Sequence, residues 1–147
     1  MSRSKSRSAA RLAAVQASYQ RSMEATPTAQ LIHEFHQHRL GATIEDVEYN
    51  EAEVAFFDDL VTGSIARETE LDATISARLS TGWSLDRLDK PMRALLRVAT
   101  YELLARGDVP VKTVINEYVD VADAFYDQRE KGFVNGLLDA VAKDVRR

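Results

Sequence analysis

The sequence predicts an all-α protein, and three observations carry the prediction. Six glycines and three prolines make up only nine of 147 residues, about half the usual combined share of ~12%, so tight turns are scarce. Apolar residues recur at i, i+3, i+4 and i+7 through most of the chain, which is the period of an amphipathic helix. Nowhere do β-branched residues alternate with polar ones for long enough to make a strand. The result is about seven helices, whose short connections make sequential neighbours antiparallel. A length of 147 residues fits one domain with a core of its own.

The first helix carries Leu12, Val15 and Tyr19 at i, i+3 and i+7, with alanines between them, and ends before Ala25-Thr26-Pro27. There Thr26 offers a cap and Pro27 a first-turn residue for the second helix. That helix turns Leu31, Ile32 and Phe35 inward and stops near Gly41. The stretch from Ala42 to Asn50 is acidic and aperiodic and reads as a loop. Asn50 is the expected N-cap of a third helix bearing Val54, Phe57, Leu60, Val61 and Ile65. A fourth, from about Glu68 to Ser80, uses Leu71, Ile75 and Leu79.

The C-terminal half has sharper signals. Asp89 caps a fifth helix with Pro91 in its first turn and a stripe of Met92, Leu95, Leu96, Ala99 and Leu103. Arg106 suits that helix's C-terminus, and Gly107 its C′ position. Asp108 is the expected cap of a sixth helix, with Pro110 in the first turn. It turns Val111, Val114, Ile115, Tyr118, Ala122 and Phe125 to the core. The last helix carries Phe133, Val134, Leu137, Leu138, Val141 and Val145.

The net charge of −4 conceals an asymmetry. Met1 to Met23 holds Arg3, Lys5, Arg7, Arg11 and Arg21 and no acid, so this segment is +5 and the remaining 124 residues are −9. Residues 1–6 read as a flexible basic arm. Such a segment is a solvated tail, an organelle transit peptide, or an arm that seeks phosphates. No apolar h-region follows it, which excludes a secretory signal. Ten acidic residues and one basic residue, Arg67, lie between Glu45 and Asp72, a solvated face that repels nucleic acid.

Several chemistries are excluded. With no cysteine there is no disulfide scaffold, thiol nucleophile or Cys-ligated metal site, and the usage fits a reducing compartment. No apolar run approaches the ~20 residues needed to cross a bilayer. His33, Glu34, His36 and His38 share the second helix, but zincin chemistry needs two histidines at i and i+4 with a Glu beside the first. The pairs here are i, i+3 and i, i+2, so this set reads as a solvated face and no metal is expected. There is no G-x-S-x-G elbow, P-loop or dinucleotide fingerprint. No carboxylate pair is set apart by apolar neighbours. The expectation is a protein without catalysis or cofactor.

What remains is the basic first helix and a few polar or aromatic residues within apolar helices: Gln16, Asn116, Asn135 and Phe133. The amides have a plain reading as satisfied backbone partners, and Phe133 has one as a core residue. Yet Phe133 follows Lys131-Gly132, and an aromatic flanked by cations is what single-stranded RNA recognition uses.

Five strings, in order, carry a family resemblance. Arg7-Ser8-Ala9-Ala10-Arg11 with Ala14-Val15-Gln16-Ala17-Ser18-Tyr19 resembles the opening helix of the bacterial transcription antitermination factor NusB family. Leu95-Leu96-Arg97 with Tyr101-Glu102-Leu103, then Asp108-Val109-Pro110, Val114-Ile115-Asn116-Glu117 and Phe133-Val134-Asn135-Gly136, follow the family's order and spacing. The likeness spans essentially the whole chain, although Thr26 to Gly82 matches mainly in helix pattern. Ser8 stands where a second arginine is common, Gly132 where a basic or polar residue is frequent, and Ser18 where Leu is common.

The resemblance implies two small helical bundles packed side by side, at about 7–80 and 84–147, and no catalysis. It implies a bacterial cytoplasmic protein that pairs with the ribosomal small-subunit protein that doubles as NusE. The pair would bind the boxA element of nascent ribosomal RNA and join other Nus factors on RNA polymerase. By carry-over, Arg7 and Arg11 meet phosphates, Phe133 contacts a base, Asn135 supports that surface, and Gln16 and Lys131 complete the RNA-binding set. The face near Tyr19, Asp86, Arg87 and Arg93 is nominated for the ribosomal partner. The rival readings are a purely protein-binding adaptor, a homodimer that hides the arginine face, and an RNA-binding appendage of a ribosomal RNA methyltransferase.

Overall fold

The computed structural model of the protein describes residues 3–37 and 51–146. Within them the helices are α1 (Arg3–Glu24), α2 (Thr28–Phe35), α3 (Glu51–Ala66), α4 (Glu68–Ser76), α5 (Lys90–Ala105), α6 (Val111–Asp123) and α7 (Gln128–Val145). A single 3-10 turn, Leu85–Arg87, precedes α5, and no strand occurs among the described residues. The all-α architecture follows from the helical period of the apolar residues, as the sequence predicts.

α5 is the centre of the molecule. It packs against α1, α3, α4, α6 and α7, and ten of its sixteen residues are buried, on more than one face. Asp89 caps it, accepting the Met92 N–H at 3.0 Å, with Pro91 in the first turn. The apolar residues of both halves of the chain close around α5 in one continuous core, from Ala10 and Val15 through Phe57 and Leu60 to Leu138 and Val141. Helices α1, α3 and α4 therefore meet α6 and α7 on a shared helix.

Helix boundaries depart from expectation where a candidate cap has a better partner. The Thr26 and Asp108 side chains cap nothing: Pro27 and Pro110 occupy the N-cap positions, and α2 and α6 begin one residue later. Asp108 instead faces Arg106, Oδ1 to Nε at 3.2 Å. Gly107 is not left-handed; among the described glycines only Gly82 has positive φ. The end of α5 is closed by Arg146, whose guanidinium donates to the carbonyls of Leu103 (2.7 Å), Arg106 (2.7 Å), Glu102 and Val109. A cation there meets the negative end of the helix dipole, and at Glu102 and Arg106 it adds a second donor to carbonyls that already accept the N–H groups of Arg106 and Val109. α4 stops at Ser76 rather than Ser80. The expected arm at 1–6 is instead helical from Arg3, and Ser6 is buried. The alanine-rich stretch continues that helix backwards. The expected loop at 42–50, the Asn50 cap and the stop near Gly41 lie outside the described residues.

α1 is closed by the residue after it, Ala25, which takes φ of +53° and donates its N–H to the Arg21 carbonyl at 2.8 Å. α3 and α5 approach closely at Gly63, where a Cβ would lie 2.1 Å from Tyr101 Cζ. Only glycine admits the ring.

Candidate nucleic-acid interface

α1 and α5 run antiparallel. Arg7 and Arg106 share the Phe56 ring, Arg11 meets Glu102, and Arg21 and Arg97 share Glu68 further along. This pairing decides what each α1 residue can do.

Arg11, expected at phosphates, is 2% exposed. Its Nε and Nη2 donate to Glu102 Oε1 and Oε2 at 2.9 and 2.8 Å. Tyr118 donates its hydroxyl to the same carboxylate at 2.8 Å. Glu117 adds a second carboxylate 3.5 Å from Arg11 Nη1 and accepts from Ser8 Oγ at 2.8 Å. Burial opposes the charge on Arg11, but the hydrogen bonds and charge of Glu102 outweigh it and raise its pKa. Burial, then the Glu102 charge, pushes the Tyr118 phenol well up. Arg11, expected at phosphates, is engaged here as the cation of a buried carboxylate.

Arg7 is half-buried with its guanidinium 4.6 Å from the Phe56 centroid. Arg11 and Arg106 lie over the same ring at 5.1 and 5.0 Å. Three cations thus converge on one buried phenyl, an arrangement favoured by the ring quadrupole. Arg106 is balanced by Asp59 and Asp108. Gln16 is half-buried on α1.

The second cluster is on α7. Phe133 is 38% exposed, so it is not the core residue its spacing suggested. Asn135 is exposed, and a Cβ at Gly132 would meet nothing within 4 Å, leaving open space beside the ring. Lys131 Nζ is 2.7 Å from Asp123 Oδ1. Phe133 forms one wall of a groove of about 390 Å³ that Trp83, Arg87, Met92, Tyr126 and Arg129 also line.

These two clusters are not one patch. Met92, at the start of α5, lines the Phe133 groove, whereas Glu102, near its end, holds Arg11. Ten residues of α-helix separate them, or about 15 Å along the axis.

The partner residues also divide. Tyr19, 37% exposed, lies eight residues beyond Arg11 on α1, which the antiparallel packing places towards the start of α5 and the half-buried Arg93. Asp86 and Arg87 sit on the 3-10 turn. There Arg87 Nη1 donates to the Gly82 carbonyl at 2.6 Å and the guanidinium lies 5.9 Å from the Trp83 ring, so Arg87 belongs with Phe133.

Two further exposed aromatics lie outside the set expected from the sequence. Trp83, 54% exposed, stands in a Gly-Trp-Ser segment, and Phe125, expected in the core, is 45% exposed beyond the end of α6. For Trp83 a signal existed: a large aromatic within a turn-forming segment has no helical stripe to join. Phe125 falls on the helical period, but α6 ends at Asp123 and the backbone turns away. Among the described residues no three potential metal ligands gather, and no helix is long and apolar enough to cross a membrane.

A family model described as the NusB family matches residues 8–143. The chain is 68% identical to the transcription antitermination protein NusB of Sphingopyxis alaskensis over 99% of this chain and 97% of that one. Its fold superposes on T. maritima NusB with a TM-score of 0.81 at 29% identity, covering 96% of this chain and 93% of the other. It also superposes on a chain from a crystal structure of the antitermination factors NusB and NusE in complex with double-stranded RNA. There the TM-score is 0.80 at 24% identity, covering 95% and 98% of the two chains, a likeness of fold.

Proposed function

The chain belongs to the NusB family, and we propose that it acts as a non-catalytic transcription antitermination factor in the bacterial cytoplasm. It binds the boxA element of nascent ribosomal RNA together with the ribosomal protein NusE, and the pair helps assemble the antitermination complex on RNA polymerase. The relative from Sphingopyxis alaskensis carries the antitermination name, and a protein of the same fold was solved with NusE and double-stranded RNA.

The observation that carries this reading is Phe133. A phenyl side chain left 38% exposed on a well-packed helix offers a stacking face, and Asn135 is exposed two residues away. Stacking plus amide readout is how unpaired bases are bound. Lys131 supplies charge beside Phe133, partly taken up by Asp123, and Arg7 belongs to the separate cluster at the other end of α5. The acidic body, net −4 overall, limits nonspecific attraction to phosphate. A partner bringing positive surface therefore tightens the complex. Tyr19 and Arg93, at the start of α5, are the face assigned to NusE.

Fluorescence anisotropy of a labelled boxA RNA, titrated with this protein alone and with NusE against a scrambled RNA at the same salt, tests the reading. Tighter, sequence-selective binding with NusE is expected. Equal affinity for the scramble overturns it and leaves a protein-only adaptor.

A further inference from the structure

We infer that the groove lined by Trp83 and Phe133 is a base-binding pocket, which takes one unstacked nucleobase of the bound RNA strand. The inference rests on the RNA-binding reading above and extends it to residues outside the set read from the sequence.

Trp83 is the only tryptophan and is more than half exposed, yet its backbone is held. Gly82 takes φ of +89°, Trp83 donates its N–H to the Ser80 carbonyl at 2.9 Å, and Arg87 donates to Ser84 through its backbone and to Gly82 through its side chain. The backbone that carries the indole is thus held on a closed turn, with the Arg87 guanidinium 5.9 Å from the ring. Exposing a large aromatic this way forfeits burial free energy, and pre-ordering it lowers the entropy lost when a ligand stacks.

Phe133, Met92 and Tyr126 line the same groove as Trp83. A volume of about 390 Å³ lies in the range of small-ligand sites and suits a base with part of its ribose. Arg87 and Arg129 stand at the same groove, where they meet the phosphates on either side of an inserted base. Of the two carboxylates there, Asp89 is occupied by the Met92 N–H and the Tyr126 hydroxyl. Aromatic walls with guanidinium groups beside them match the two faces and the charged linkage of a single-stranded nucleotide.

Because Trp83 is the sole indole, its fluorescence reports on this groove alone. The test titrates the full chain, with and without NusE, with a boxA RNA and with a series in which one nucleotide at a time is abasic. Trp83 emission is expected to be quenched by the intact RNA, with one abasic position abolishing the quench and weakening binding about five- to hundredfold, the range for one stacked base. Trp83→Leu, which leaves an apolar side chain at an exposed position, should weaken the intact RNA by a similar factor and leave the abasic RNA unaffected.

RNA binding that depends on Phe133 but leaves Trp83 emission unchanged overturns the pocket and spares the RNA-binding reading. Quenching by NusE without RNA assigns the groove to the protein partner and overturns the inference. Failure to bind any of the RNAs overturns both.

Discussion

Arg11 and Glu102 form a two-pronged ion pair inside the core, at 2.9 and 2.8 Å, joining α1 to the central helix across 91 residues of sequence. Both side chains are almost wholly enclosed. Two charges removed from water are tolerated only when each satisfies the other and the remaining lone pairs find donors, and the Tyr118 hydroxyl supplies one. An arginine that a sequence reading places at phosphate thus locks two helices together.

Arg11→Ala should therefore act on stability. Leaving Glu102 buried without its cation is expected to cost about 3–5 kcal/mol, read as a lower midpoint in urea unfolding. Arg11→Met combined with Glu102→Gln should recover part of the loss. A near-normal midpoint, with the salt slope of RNA binding falling by ~0.7, would restore Arg11 to the phosphate contacts.

Gly63→Ala should destabilise despite the better helix propensity of alanine. The new methyl would collide with the Tyr101 ring, which its hydroxyl anchors to Asp59 at 2.6 Å. Overpacking of this kind costs about 1–3 kcal/mol. A raised melting temperature would mean the α3–α5 contact is looser than described.

Ala25→Gly should stabilise. Alanine pays a steric penalty of roughly 1–2 kcal/mol in the left-handed region, partly offset by the greater unfolded-state freedom of glycine. A net gain of about 0.5–1 kcal/mol is expected, measured by thermal unfolding; no gain would mean the turn relaxes without strain.

Phe133→Ala separates the two roles that the sequence left open. At an exposed stacking position it should weaken boxA binding about five- to hundredfold while changing the melting temperature by little. Loss of stability without loss of RNA affinity would return Phe133 to the core.

Alkaline pH should weaken the fold through Tyr101. Burial, helped by the hydrogen bond to Asp59, pushes its phenol up to about 12, above the ordinary value near 10. The neutral phenol is favoured when folded, so its contribution is intact below pH ~10 and lost as pH rises towards 12. Tyr101→Phe should flatten the stability profile in that window; an unaltered profile would assign the titration elsewhere.

Much of the fold is legible in the sequence because helix formation is a local matter. The 3.6-residue period placed Leu95, Ala99 and Leu103 on one stripe, and Asp89 with Pro91 marked the start of α5, each within a turn or two of chain. Errors arose where a local signal met a competing contact: Asp108 faces Arg106 instead of capping α6, and Phe125 is carried outward once its helix ends. The candidate site was legible only in pieces. Phe133 and Asn135 could be singled out as unusual, but the groove needs Trp83, fifty residues earlier, and the α1 arginines belong to the other end of α5.

By itself, then, the sequence determined an all-α chain, the stripes that make its core, the basic character of its first helix and its family. Tertiary structure alone decided which of those basic residues are available to a ligand. Periodicity places a side chain on a face of its own helix, but whether that face meets water, a phenyl ring or a buried carboxylate depends on the helix packed against it. Arg11 becomes a core ion pair because α5 presents Glu102 there, and Phe133 stays exposed because beside it lies a groove rather than a packed helix.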